Sequence, residues 1–155
     1  MIVVRRLREG IVAHFPIRFS EWLMLFPAVA MGIALRFQQD MFSVTPSFAA
    51  VARWGDETFW AVLLLGCGAM RLLALVVNGT FAGFRWSPHL RALASVAGAL
   101  TWAQFAVGIL SAAVFEGGTW SGVVMYSTML LAEIVNLARA SGDIQAGRGV
   151  DREHR

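Results

Sequence analysis

The chain has 155 residues, about one domain's worth. Hydrophobic residues make up 57% and charged residues 15%, against roughly 45–50% and about 25% in soluble domains. All 13 basic residues are arginine, yet the net charge is only +3. These figures exclude a disordered chain, a basic nucleic-acid-binding domain and an ordinary soluble enzyme. They leave a small integral membrane protein. The one cysteine, Cys67, excludes a disulfide framework or a cysteine-based metal site within one chain.

Residues 1–18 form a basic N-terminal segment. Val4, Leu7, Ile11 and Phe15 recur at helical spacing, while Arg5, Arg8 and Glu9 fall elsewhere. That pattern fits an amphipathic helix lying on the inner leaflet and broken by Pro16. A frayed basic terminus fits as well, given Gly10. A membrane span needs about 20 mostly apolar residues, and four stretches qualify within a transmembrane domain over 19–140. The first runs over 19–37 and contains Pro27. Ala28-Val29-Ala30 has the form of a signal-peptide cleavage site. The apolar stretch before it, from Trp22 to Pro27, is shorter than the usual apolar region of a signal peptide, so the span is read as retained.

A long loop over 38–56 follows, carrying Phe42, Phe48 and Trp54, and Thr45-Pro46-Ser47 starts a short helix at the outer interface. Asp56-Glu57 suits a helix N-terminus. The second span, 59–77, contains Arg71. Ser87-Pro88 opens the third helix, whose span over 90–115 is polar only at Ser95, Thr101, Gln104 and Ser111. Gly117-Gly118 makes a tight turn, and the fourth span, 120–138, carries Glu133 and Asn136. Residues 141–155 turn polar and are expected to form a mobile cytoplasmic tail. The expected fold is therefore an all-α, integral membrane four-helix bundle.

Arginine placement orients it. With both termini in the cytoplasm, ten arginines lie inside, Arg36 and Arg53 lie outside, and Arg71 is within a span. Trp22, Trp54, Trp60, Trp86 and Trp120 then fall near the span ends as an aromatic belt.

An ionised side chain in a span is costly and finds a partner. Arg71 stands seven residues before Asn78, and Glu133 six before Arg139, so the two match in depth on helices running the same way. Glu21, at the start of the first span, is a second candidate partner for Arg71. Asn78 and Asn136 fall nearer the inner surface. Two roles fit Arg71: locking the bundle, or conduction and gating. On the third helix, Gly98, Thr101, Gln104 and Gly108 are candidates for close packing, interhelical hydrogen bonds or a pore lining. No histidine sits at mid-membrane, and no Cys/His or carboxylate cluster has metal spacing, so no catalytic residue, metal or cofactor is expected.

The run Trp54-Gly55-Asp56-Glu57-Thr58-Phe59-Trp60, the run Arg71-Leu72-x-Ala74-Leu75-x-x-Asn78-Gly79, Pro88-x-x-Arg91 and Trp102 together resemble a group of small four-span membrane proteins of tailed phages and prophages. Some of that group are labelled holin-like. The likeness covers the middle two thirds of the chain and implies a phage context. It carries over no catalytic residues.

The expectation is a holin-like protein of the bacterial inner membrane that forms homo-oligomers and permeabilises the bilayer. Alternatives are a non-pore protein that binds another membrane protein, for superinfection exclusion or assembly, and a small channel or transporter. No nucleic acid is an expected partner, and an enzyme is the least favoured reading.

Overall fold

The computed structural model describes residues 15–80, 84 and 86–153, which contain helices and no strand. Most of the expected amphipathic N-terminal segment therefore lies outside the described residues. The elements are α1 (Phe19–Phe37), α2 (Met41–Val44), a 3-10 turn (Pro46–Phe48), α3 (Ala49–Ala52), α4 (Glu57–Thr80), α5 (Ser87–Phe115) and α6 (Trp120–Glu153). Helices α1, α4, α5 and α6 are long and apolar enough to cross a membrane.

Local chemistry sets the helix ends. Asp56 Oδ1 accepts the Phe59 N–H at 2.7 Å, capping α4 at its first turn. Pro88 sits in the first turn of α5, where no intrahelical N–H bond is needed. Gly117 adopts φ +76°, a left-handed conformation that terminates α5. The Gly118 N–H then turns back onto the Ala112 carbonyl at 2.9 Å. α1 runs on through Pro27, as helices in apolar surroundings tolerate.

The four long helices alternate in direction. α1 packs on α4, α4 on α5, α5 on α6, and α6 closes on α1. α5 is the central helix: half of its apolar window is buried, against 17% for α6. Phe26, Val62, Leu73, Leu100, Val107 and Val124 are exposed, so every long helix turns an apolar face outward. Soluble monomers rarely expose contiguous apolar surface on this scale. This is the exterior of a multi-pass membrane protein.

The end of the bundle holding the starts of α1 and α5 is called basal here, and the opposite end capped. The capped half has an aromatic interior. Trp60 meets Phe105 edge-on at 4.9 Å between centroids, and Tyr126 stacks on Phe105 at 5.3 Å. Residues 38–56 were expected as a long loop with a short helix starting at Thr45-Pro46-Ser47 and lying at the outer interface; the helical turn does begin at Pro46. The segment does not lie at the interface but folds inward as α2, the 3-10 turn and α3. Phe42, Ala50 and Val51 are buried, and Phe42 stacks on Phe48 at 5.3 Å. Burial of these apolar side chains against α5 outweighs the solvation of a free loop. Gly108 makes room for the cap: a Cβ there would stand 2.6 Å from Val51 Cγ2. Three polar contacts fasten it. Glu57 Oε1 accepts the Phe42 N–H at 2.9 Å, Ser47 Oγ accepts the Thr119 N–H at 3.0 Å, and Arg53 pairs with Glu116.

The fourth helix also differs from expectation. It continues past 138, the end of the expected span, through the polar residues from 141 as far as Glu153. Asp143, one of its added residues, is bonded to Arg18 and Arg91, which ties the extension to the bundle.

Candidate functional site

The basal half is built on polar side chains, with one glycine among them, that share the inward faces of their helices. On α4 these are Cys67 and Arg71; on α5, Arg91, Ser95, Gly98 and Thr101; on α6, Glu133 and Asn136. Spacings of three, four or seven residues keep each set on one helical face.

The lowest tier joins three helices. The Arg91 side chain is fully buried and its Nε lies 2.8 and 3.1 Å from the two Glu21 carboxylate oxygens. Its Nη1 donates to Asp143 Oδ2 at 2.6 Å. Arg18 Nη1 donates to the same Asp143 oxygen at 2.8 Å and lies 3.7 Å from Glu21. The planar guanidinium suits this work because its fork of donors serves two carboxylates at once. One tier up, Ser20 Oγ donates to Asn136 Oδ1 at 2.6 Å and accepts from Arg139 Nη1 at 3.0 Å.

The upper tier is the buried ion pair of Arg71 with Glu133. Arg71 Nη2 also lies 3.4 Å from the Ala94 carbonyl. Gly98 is the floor of this pair. A Cβ at that position would collide with the Glu133 carboxylate and stand 3.2 Å from Arg71 Nη2. Above it, Thr101 Oγ1 donates to the Ala97 carbonyl at 2.9 Å and lies 3.5 Å from Cys67 Sγ. Three guanidinium groups, of Arg18, Arg71 and Arg91, thus face the three carboxylates of Glu21, Glu133 and Asp143. Each buried ion loses several kcal/mol of hydration, roughly offset only when a partner and hydrogen bonds are in place.

The structure brings Arg71 and Glu133 together, and Asn136 lies one tier below them. It does not bring Glu21 to Arg71: Glu21 belongs to Arg91, a turn and more nearer the basal end. Asn78 stands apart, accepting from Ser87 Oγ at 2.7 Å across the connection from α4 to α5. Gly98 and Gly108 are both inside the bundle, taken up by the ion pair and by the cap, so neither is free for contact between subunits. Gln104 is exposed on the outward face of α5.

Sequence reasoning missed Arg18, Arg91 and Asp143 as members of the network. Arg18 entered only the count of cytoplasmic charge, and Arg91 only that count and the Pro88-x-x-Arg91 motif. The signal was present in the spacing: Arg91 stands seven residues before Gly98, and Asp143 seven after Asn136, each on the inward face.

Two depressions lie on the surface of the bundle. One, of about 520 Å³, lies beside the cap and is lined by residues that include Arg53, Trp54, Asp56 and Glu57. The other, of about 380 Å³, is an apolar groove between α4 and α5, with Thr101 and Gln104 in its lining. Among the described residues, no three His, Cys, Asp or Glu side chains gather as a metal site. The fold and this charged interior define a class, a four-span helical bundle with a charge-balanced polar core. Comparison with protein-family models, curated proteins and solved structures returns no match. The phage likeness therefore rests on its short motifs alone.

Proposed function

We propose that the chain is a holin-like protein of the bacterial inner membrane. In this reading both termini are cytoplasmic, and the protein self-associates and then permeabilises the bilayer. The observation that carries the reading is the charge ladder. A bundle that needed only stability would do as well or better with apolar side chains at these positions. Ionisable groups retained within spans are functional candidates by default. In the closed bundle every charge of the ladder is paired and the capped half is packed with aromatic rings. Separation of α5 from α6 within an oligomer would present Arg71, Arg91 and Glu133 to water, recovering hydration lost on burial. Ser95 Oγ, buried along the ladder without a hydrogen-bond partner among the described residues, favours entry of water there. Arg71 and Arg91, which help to carry the phage likeness, are both members of the ladder.

The orientation follows from the arginine bias. A reporter fused after Arg155 is expected to be active only in its cytoplasmic form, and one inserted near Ser47 only in its exported form. The reverse at either site overturns the topology. The activity is tested by inducible expression in a bacterium, following membrane potential and release of a cytoplasmic reporter enzyme. The expected result is growth arrest with depolarisation and release. Accumulation of the protein in the membrane with neither sinks the reading.

A second reading, a protein that docks another membrane protein, has its own support. The cap is pinned by Glu57, Ser47 and Arg53 and holds Trp54, 67% exposed, at the edge of the larger depression. Loss of a partner phenotype on Trp54→Ala, without depolarisation by the parent chain, would select it.

A further inference from the structure

Gln104 is the feature that the closed bundle leaves unexplained. It lies eleven residues before Phe115, the end of α5, which is about 16 Å along the helix. The 29 residues of α5 extend about 43 Å, longer than the roughly 30 Å hydrocarbon layer. Gln104 is therefore on the order of 10 Å inside the hydrocarbon. Its side chain is exposed, and it is too short to reach the interface. An unsatisfied amide at that depth is costly.

The depth decides what covers it. A lipid carries its polar groups at the membrane surface and offers only hydrocarbon here. The partner must be a protein group at the same depth. A second copy of this chain meets that condition by symmetry. A primary amide has donors and an acceptor, so two Gln104 side chains related by a two-fold axis satisfy each other. The surrounding surface suits the contact. Leu93, Val96, Leu100, Val107 and Leu110 are exposed on α5 at spacings of three and four around Gln104, a continuous seam for a helix–helix interface. The apolar groove between α4 and α5 flanks that seam and includes Leu100 and Gln104 in its lining.

We infer that two closed bundles pair through the outward face of α5, with their Gln104 amides hydrogen-bonded across a two-fold axis within the hydrocarbon layer. This deepens the self-association in the proposed function and rests on it. The contact does not use Gly98 or Gly108, and it leaves the charge ladder untouched.

The test is disulfide crosslinking of the full chain in bacterial membranes, in a Cys67→Ala background. Single cysteines are placed by Leu100→Cys and Val107→Cys, one turn either side of Gln104. Val124→Cys, on the exposed face of α6, is the control. Dimer is expected at the first two positions and not at the third. Adding Gln104→Leu places an apolar side chain on a face already apolar, so the bundle stays folded. It is expected to weaken pairing about tenfold, with partial rescue by Gln104→Asn. Crosslinking equal at Val124→Cys, or unchanged by Gln104→Leu, overturns the interface. Absence of dimer at every position overturns it too and leaves lipid against the seam. The outcomes separate from those of the function: depolarisation without these crosslinks removes the interface alone, and crosslinks without depolarisation remove permeabilisation alone.

Discussion

Arg91→Ala is expected to be among the most destabilising single changes in the chain, by about 3–5 kcal/mol. Arg91 is where α1, α5 and α6 meet, with Glu21 on one side and Asp143 on the other. Its removal leaves Glu21, 3% exposed, without its principal counter-ion. Arg18, at 3.7 Å, is a weak substitute. Glu21 would then be a buried carboxylate short of a partner, and the water it draws in loosens the basal end. Arg91→Lys is expected to recover only part of the loss. A lysine keeps the charge, but its single ammonium lacks the planar fork that reaches both carboxylates. The measurement is loss of helical circular dichroism as purified protein in mild detergent is titrated with dodecyl sulfate. Parent-like resistance of Arg91→Ala would mean that the basal tier contributes nothing to stability.

The second large effect concerns Arg71 and Glu133. Arg71→Ala and Glu133→Ala are each expected to cost about 3–5 kcal/mol, because each strands one ion in the interior. The double variant is expected to be more stable than the sum of the single losses, since no unpaired charge remains. That excess is the coupling energy of the pair. Gly98→Ala extends the cycle to a third residue. In the parent, its methyl group would collide with the Glu133 carboxylate, so it destabilises despite the better helix propensity of alanine. In the background lacking Arg71 and Glu133 side chains, the colliding atoms are gone and the same change is expected to be close to neutral. Gly66→Ala is the control, since a Cβ there meets nothing within 4 Å. Strict additivity across all three positions would show that the pair and its glycine floor do not act as a unit.

Much of this architecture was legible in the residues. Long apolar runs can satisfy their backbone in a bilayer only as helices, so length and composition sufficed to mark four span-capable segments. The structure places those helices at Phe19–Phe37, Glu57–Thr80, Ser87–Phe115 and Trp120–Glu153. Equal depth of Arg71 and Glu133 pointed to a pair because rise along a helix is a local property, readable by counting. Asp56 and Pro88 marked helix starts through interactions within a single turn.

What counting along one chain could not decide was which helix faces which, and therefore how each polar side chain is satisfied. Arg91 near a span end reads as cytoplasmic charge until α1 and α6 are placed beside it. Gly98 reads as a surface for a neighbouring subunit until Glu133 is seen to occupy the space over it. Within residues 38–56 only the helix start at Thr45-Pro46-Ser47 was legible, and its inward packing was not, because the helical pieces are too short to show a period. Their apolar side chains gain a core only when the aromatic rings of α4, α5 and α6 are assembled beneath them. Depth and helix formation are local, so the sequence by itself determined them. Partner choice among buried ions and space at a glycine depend on contacts between residues far apart in the chain, and only the tertiary structure decided those.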